Sequence, residues 1–311
     1  MAVYRALGTG MVISVDSPID DKVRSAMESL IEDYEHVLSR FRNDSLIAAI
    51  GKAEHGGSFD FPDWCAPLFD LYDALFSATS GAIDPCVGED LIRLGYDASL
   101  SFTVTQDAPE HLGALRGRAV WGRDVTRHGT TLVTHEPVQL DFGACGKGYL
   151  VDLLGRMLQS SQFVIDAGGD LLIHAEQPIS VALEDPEDQS HAIGIAHIAN
   201  GALCASAPSR RHWNVAVNER TQIAIHHLLN AIDGLPAQQT EASWAYVPAN
   251  ATLNLARDYP TAVADGLATA LFVSDVAQLQ RTFDFTYATL DESRQIAVSR
   301  NFPADLFLRS A

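Results

Sequence analysis

Positive charge is what this chain lacks most. Lysine and arginine number 21 against 40 aspartates and glutamates in 311 residues, a net charge of −19. General binding to nucleic acid or to an anionic membrane surface needs a positive field, so the composition argues against both. An anionic ligand would have to be met locally, by helix starts, a few Arg or Lys side chains and a metal ion. Cysteine is also scarce: Cys65, Cys86, Cys145 and Cys204 are widely spaced and form no C-x-x-C pair. That argues against zinc or a disulfide framework and suits free thiols in a reducing compartment. No run approaches the ~18 apolar residues of a membrane-spanning helix. Met1 to Gly8 has no apolar signal core and no lipidation cysteine, so the expected location is the cytoplasm. No low-complexity linker or repeat divides the chain, and one domain over 1–311 is expected, with 47% hydrophobic residues to build its core.

What is present begins with Asp141 to Asp152. A strand-like lead (Val138, Leu140, Phe142) runs into Gly143, Gly146 and Gly148, which bracket Lys147, and a helical pattern follows through Tyr149, Leu153, Leu154 and Met157. Glycines admit a ligand close to the backbone, and a helix start offers unpaired N–H groups to an anion. The stretch is either a phosphate-cradling turn or a tight strand-to-helix turn with a surface lysine. It is not a Walker A loop, because Gly148 stands where Ser or Thr is required and position 141 is not Gly.

Upstream, Met11–Val15 reads as a strand. The apolar stripe Val23, Met27, Leu30, Ile31, Tyr34, Val37 and Phe41 predicts a long amphipathic helix. Ser45 is placed to cap a short turn over Leu46–Ile50, and 54–58 reads as a loop. A second helix is expected from about Pro62 to just before Gly81. Asp84 precedes Pro85 and is extended, either as a capping residue or as part of a site. Short alternating runs from Ala119 to Val138 predict antiparallel strands. Phe163–Ile173 reads as strand, glycine bend, strand, and Ile179–Leu183 as a further strand. Ala202–Trp213 reads as a strand entering a basic loop, where Arg210 and Arg211 either contact an anion or are solvated. His226 and His227 precede a turn at Ala231–Gly234. Asp265 and Thr269 are four apart and share one helix face. A carboxylate with a hydroxyl suits magnesium held jointly with phosphates, or else a helix-start Asp and a Thr bonded back to a carbonyl. The tail, Phe285–Leu290 and Gln295–Val298, predicts a hairpin. Helices early, strands mid-chain, then helix and hairpin indicate an α+β fold with largely antiparallel sheets.

In this order and at these separations the motifs resemble the ApbE-type FAD:protein FMN transferases, from Leu7-Gly8-Thr9 to the final hairpin. The resemblance is carried by Asp141 to Asp152 with its Lys-Gly-Tyr, by Gly168-Gly169-Asp170, and by Cys204-Ala205-Ser206 through Arg210-Arg211-His212-Trp213. Leu38 to Ser45, Asp84-Pro85 and Ala264 to Ala270 complete it. It implies a T-fold-like architecture in two halves around a flavin cleft, with FAD as substrate and Mg2+ on its pyrophosphate. By the same comparison Asp265, Thr269 and the Gly146 carbonyl ligate the metal. Lys147 meets the phosphate charge. Gly8, Thr9, Asp84, Tyr96, Gly168, Gly169, Asp170, Ser206 and Arg211 belong to the FAD site. His227 is the base that activates a Thr or Ser hydroxyl of an acceptor protein, which takes FMN as AMP leaves.

The chain departs from the family pattern at several points. Leu7 replaces the family's Met, and Ile83-Asp84-Pro85-Cys86 replaces Phe-Asp-Pro-Thr. Ile50 replaces an Asn, and Ala231-Ile232-Asp233-Gly234 replaces a Pro-x-Thr-Gly turn. Two other activities therefore stand beside transfer: hydrolysis of FAD to FMN and AMP, and FAD binding without catalysis.

Overall fold

The computed structural model describes residues 1–218 and 221–307. They group into two compact units, the first built from Met1–Glu32, Gly143–Ser209 and the chain from Gln238 onward, the second from Asp33–Phe142 and Arg210–Ala237. Among the described residues no helix is long and apolar enough to cross a membrane.

The first unit is built on a nine-stranded sheet, antiparallel at every pairing. Its order is Ala2–Ala6, Thr9–Val15, Phe163–Asp166, Asp170–Glu184, Ala192–Ser206, Thr240–Pro248, Thr286–Asp291 and Ile296–Val298, with Ala304–Leu306 beside Ala192–Ser206. Side chains alternate across the sheet. Ile173, Ile198, Leu203, Trp244, Leu290 and Phe302 pack on one face. On the other, Cys204 and Ser243 reach the helix Pro260–Ala270: the Cys204 thiol donates to the Thr261 carbonyl at 3.5 Å and Ser243 Oγ to that of Ala268 at 2.6 Å. The helix Gly146–Gly155 packs on that second helix at Gly148, where a Cβ would fall 2.3 Å from the Thr261 carbonyl oxygen. Asp152 fixes the pair, its carboxylate accepting from Thr261 N and Ala262 N at 3.1 and 2.8 Å. The tail hairpin forms as expected. The separate strand expected at Ile179–Leu183 does not: Asp170–Glu184 is one strand, with its register broken between His174 and Ile179. Pro178 lies in that break and has no N–H for the ladder.

In the second unit the strand Thr131–Thr134 is flanked by Gly57–Asp60 and Val125–His128. Ser45 caps the helix Leu46–Lys52, accepting from Ala48 N at 3.1 Å, and the helix Ala66–Ala78 follows a single 3-10 turn at Asp63–Cys65. Five expectations need correction. The helix Asp21–Leu38 stops before Phe41, which is 41% exposed, because the chain turns at Ser39. The 54–58 loop gives way to a strand from Gly57, and the 119–138 segment yields strands only at Val125–His128 and Thr131–Thr134. Val138, Leu140 and Phe142 are buried without being a strand; the Asp141 N–H goes to the Pro85 carbonyl instead of a ladder, so their alternation reflects an extended segment buried on one side and unpaired. The basic loop is shorter than read, since a strand begins at His212 and pairs with Thr221–His226.

The helix Gly88–Arg93 ends at Gly95, whose φ of +92° suits a left-handed cap; Tyr96 N reaches back to the Leu91 carbonyl at 2.8 Å. The loop that follows holds Leu100 and Phe102 at φ +53° and +49°, a conformation that disfavours side chains with a Cβ. Leu100 is 43% exposed and has little packing to lose. Leu100→Gly is expected to stabilise the protein by about 0.5–1 kcal/mol, the relief of strain exceeding the entropy glycine adds to the unfolded chain, as read by urea denaturation.

Candidate functional site

In the first unit, Lys147, Asp170, Asp265 and Thr269 converge from three elements. Lys147 lies in the first turn of Gly146–Gly155, Asp170 begins its long strand, and Asp265 and Thr269 share one face of Pro260–Ala270. Lys147 Nζ lies 2.7 Å from Asp170 Oδ2, and 3.1 and 3.3 Å from the two oxygens of Asp265. Gly148 N donates to Asp265 Oδ2 at 3.0 Å. Thr269 Oγ1 is 3.4 Å from the Ala144 carbonyl oxygen and 3.5 Å from Ser206 Oγ. The Asp170 and Asp265 side chains are only 1% and 2% exposed, while that of Lys147 is 32% exposed and supplies the opening to solvent.

The electrostatics follow from that burial. Burial would lower the Lys147 pKa, but Asp170 and Asp265 outweigh it and raise it, so the ammonium is retained. Asp265 is pushed up to about 7, chiefly by burial and then by Asp170, against Lys147 and the Gly148 N–H. Asp170 is the less satisfied carboxylate: beyond its contact with Lys147, neither buried oxygen has a hydrogen bond of good geometry among the described residues. Two carboxylates, a hydroxyl and the Ala144 carbonyl are hard oxygen donors that suit a divalent cation such as magnesium. Among the described residues there is no cluster of three or more His, Cys, Asp or Glu able to hold a metal. A cation held by such a donor set would need further ligands from water or from a bound molecule.

Two turns lie along the same unit. Leu7 and Gly8 both have positive φ, +51° and +73°, and join two paired strands in a tight hairpin. Gly168 and Gly169 (φ +69° and +107°) turn the chain between Phe163–Asp166 and Asp170–Glu184. A Cβ on Gly168 would fall 2.4 Å from Thr9 Oγ1, so the two turns meet at that pair. Gly169 N donates to Asp166 Oδ1 at 3.1 Å, and its carbonyl accepts from Ala205 N at 3.2 Å. Gly8, Thr9, Gly168, Gly169, Asp170, Ser206, Gly146 and Lys147 thus all fall in the unit of Asp265 and Thr269.

Asp84, Tyr96, Arg211 and His227 belong to the second unit. Asp84 is turned inward as a cap: Oδ1 accepts from Cys86 N at 2.8 Å and from Trp121 N at 3.3 Å, and Oδ2 lies 3.4 Å from Arg118. Arg118 is fully buried between Asp84 and Asp90, 2.8 Å from the latter, and donates to the Ala231 carbonyl at 2.7 Å. Burial raises the pKa of Asp84, and pushes Asp90 up to about 6 against the pull of Arg118. The turn Ala231–Gly234 therefore keeps firm anchors despite its altered sequence. Ala114 N and Leu115 N donate to its Ala231 and Ile232 carbonyls at 3.1 and 3.0 Å.

The two histidines part company. His226 Nε2 lies 2.9 Å from the Ala237 carbonyl while its Nδ1 accepts from Leu228 N, so its ring is a backbone brace, and burial lowers its pKa. His227 Nδ1 lies 3.2 Å from the Arg211 carbonyl, which can only accept, so a neutral ring making this bond carries its proton on Nδ1 and its lone pair on Nε2. Arg211 itself is exposed. Tyr96 anchors an aromatic group with Trp213 at 5.8 Å, Phe102 at 6.5 Å, Phe41 at 5.4 Å and the His227 ring at 6.5 Å. Arg40 lies over both Phe41 and Tyr96, at 4.2 and 4.7 Å, and donates to the Asp141 carboxylate.

Sequence reasoning missed Arg118, Asp90 and the Ala144 carbonyl. An isolated arginine in Gly117-Arg118-Ala119 carries no pattern, and a backbone carbonyl has no sequence signature.

The family model described as "ApbE family" matches residues 7–289. A FAD:protein FMN transferase of Klebsiella pneumoniae (strain 342) is 23% identical over 274 residues, covering 84% of this chain and 74% of the relative. One of Treponema pallidum (strain Nichols) is 27% identical over 286 residues, covering 81% and 72%. Among solved structures, the ApbE protein of Thermotoga maritima superposes with a TM-score of 0.79 at 20% identity, covering 98% of this chain and 99% of that one. The flavin transferase ApbE of Vibrio cholerae does so with 0.76 at 18% identity, covering 97% of each. At these identities the structural likenesses establish the fold; the match over residues 7–289 establishes the kinship: the chain belongs to the ApbE family.

Proposed function

We propose that the protein transfers FMN from FAD to a Thr or Ser hydroxyl of an acceptor protein and releases AMP. The observation that carries this reading is the buried Lys147–Asp170–Asp265 cluster with Thr269 beside it, one ammonium among oxygen donors for a divalent cation, which with that cation bound would receive a diphosphate that the carboxylates alone would repel. Asp265 and Thr269, with a backbone carbonyl of the Ala144–Gly146 turn, would hold magnesium, which when bound neutralises phosphate charge as a Lewis acid. Lys147 contributes a fixed positive charge to the phosphate oxygens. Gly8, Thr9, Gly168 and Gly169 bring backbone close to the nucleotide, and Tyr96 offers its ring to the flavin. His227 Nε2 takes the proton of the acceptor hydroxyl. The new bond joins that oxygen to the FMN-side phosphorus, and the bond from this phosphorus to the bridging oxygen breaks as AMP leaves.

Incubating the protein with FAD, Mg2+ and an acceptor peptide should give covalently fluorescent peptide. His227→Ala should lower the yield about 10²- to 10⁴-fold, the usual worth of a general base; an undiminished yield would remove His227 from that role. FAD split to free FMN and AMP without an acceptor would instead mark hydrolysis, and FAD left intact would mark a binding protein.

A pH dependence follows from Asp265. Its folded pKa, about 7, lies above the ordinary 3.8, so its contribution to the stability of the metal-free protein is full below about pH 4 and is lost as pH rises through 7. Metal ligation needs the deprotonated form. Added Mg2+ should therefore raise the melting temperature more at pH 8 than at pH 6; an equal shift at both would contradict ligation by Asp265.

A further inference from the structure

Residues 95–103 form a loop closed on itself and stressed at its tip. Phe102 N donates to the Gly95 carbonyl at 2.8 Å, and Gly95 lies so close to the returning chain that a Cβ there would fall 2.3 Å from Thr103 N. Asp97 is its hub, accepting from Ser99 N at 2.8 Å, Ser99 Oγ at 2.7 Å, Ser101 N at 3.2 Å and Ser101 Oγ at 2.5 Å. These bonds, that of Ser101 first, lower the Asp97 pKa to about 2, so the hub stays charged across the physiological range. Two costs remain uncompensated within the loop. Leu100 and Phe102 take positive φ, and both apolar side chains stay more than 40% exposed. Strain of this kind persists where the surrounding bonds over-determine it, and it concentrates at ligand-contacting segments.

The exposed ring does not stand alone. Phe102 lies nearly parallel to Tyr96 (14° between planes) and 5.4 Å from Trp213, and Phe41, also 41% exposed, meets Tyr96 edge-on. Aromatic faces with open sides favour a further flat ring. FAD carries two, adenine and isoalloxazine. The His227 ring, 6.5 Å from Tyr96, decides between them, since the base must work on the FMN side of the diphosphate.

We propose that Phe102, held in place by the Asp97-centred loop, contacts the isoalloxazine ring of FAD and sets the preference for flavin-bearing over flavin-free nucleotides. This inference rests on the flavin reading above. Asp97 is a positioning residue in it, acting through the backbone of Ser99 and Ser101.

The test compares FAD, read by quenching of flavin fluorescence, with ADP, which carries the adenosine diphosphate of FAD without the flavin and is read by calorimetry. Both are titrated with Mg2+ into wild type, Phe102→Leu, Phe102→Trp and Asp97→Ala. Phe102→Leu keeps apolar bulk without the ring and should weaken FAD about five- to tenfold while leaving ADP unchanged. Phe102→Trp should retain FAD affinity, and Asp97→Ala should shift FAD alone, which a general loss of structure would not do. Unchanged FAD affinity in Phe102→Leu overturns the assignment. So does an equal loss for FAD and ADP, or a loss of transfer to the acceptor with FAD binding intact. A wild type that binds no FAD overturns the flavin reading itself.

Discussion

Asp265→Asn is expected to lower FMN transfer by roughly 10²- to 10³-fold, the scale seen when one preorganised electrostatic group is removed from a transition-state site. Size and shape are conserved, and the Gly148 N–H can still donate to the amide oxygen, so the helix crossing is preserved. What goes is the charge that would ligate the metal and hold Lys147. Because burial already disfavours that charge, the metal-free variant should melt no lower than wild type at pH 8. The expected signature is loss of activity, loss of the Mg2+-induced rise in melting temperature, and no loss of fold. Transfer within a few-fold of wild type would remove Asp265 from the site.

Arg118→Met should destabilise the second unit by about 3–5 kcal/mol in urea denaturation. The guanidinium is wholly buried between Asp84 and Asp90, so its removal strands two carboxylates whose pKa values burial already raises. It also takes away a donor to the Ala231 carbonyl, loosening the turn after His227. Adding Asp90→Asn to Arg118→Met should recover part of the loss, because one stranded charge disappears. A cost below about 1 kcal/mol for Arg118→Met would mean the triad is wet and only weakly coupled.

How far the sequence revealed this molecule depends on the range of the contact that each residue makes. Asp265 and Thr269 were legible as a pair because helical spacing alone puts them on one face. The capping Ser45 was legible because its partner lies three residues away. The Lys147 turn could be located but not interpreted, since its two partners come from positions 170 and 265. Asp84 illustrates the opposite case. Its local role as a cap was one of the two readings open from Asp-Pro, but the reason for its burial lies at Arg118, which nothing nearby announces. Val138, Leu140 and Phe142 misled because alternation reports which side chains are buried and not whether a neighbouring strand exists to pair with. The strained loop at 95–103 left no trace in pattern or propensity. Its positive φ values fall on Leu and Phe, where sequence rules expect Gly or Asn.

The most direct test is a metal-titrated incubation of the wild type with FAD, with and without an acceptor protein, followed by chromatography for AMP, FMN and covalent flavin. The expected result is Mg2+-dependent AMP release that requires the acceptor and is matched mole for mole by flavin bound to it. AMP and free FMN appearing equally without the acceptor, or FAD remaining intact at saturating Mg2+, would contradict it.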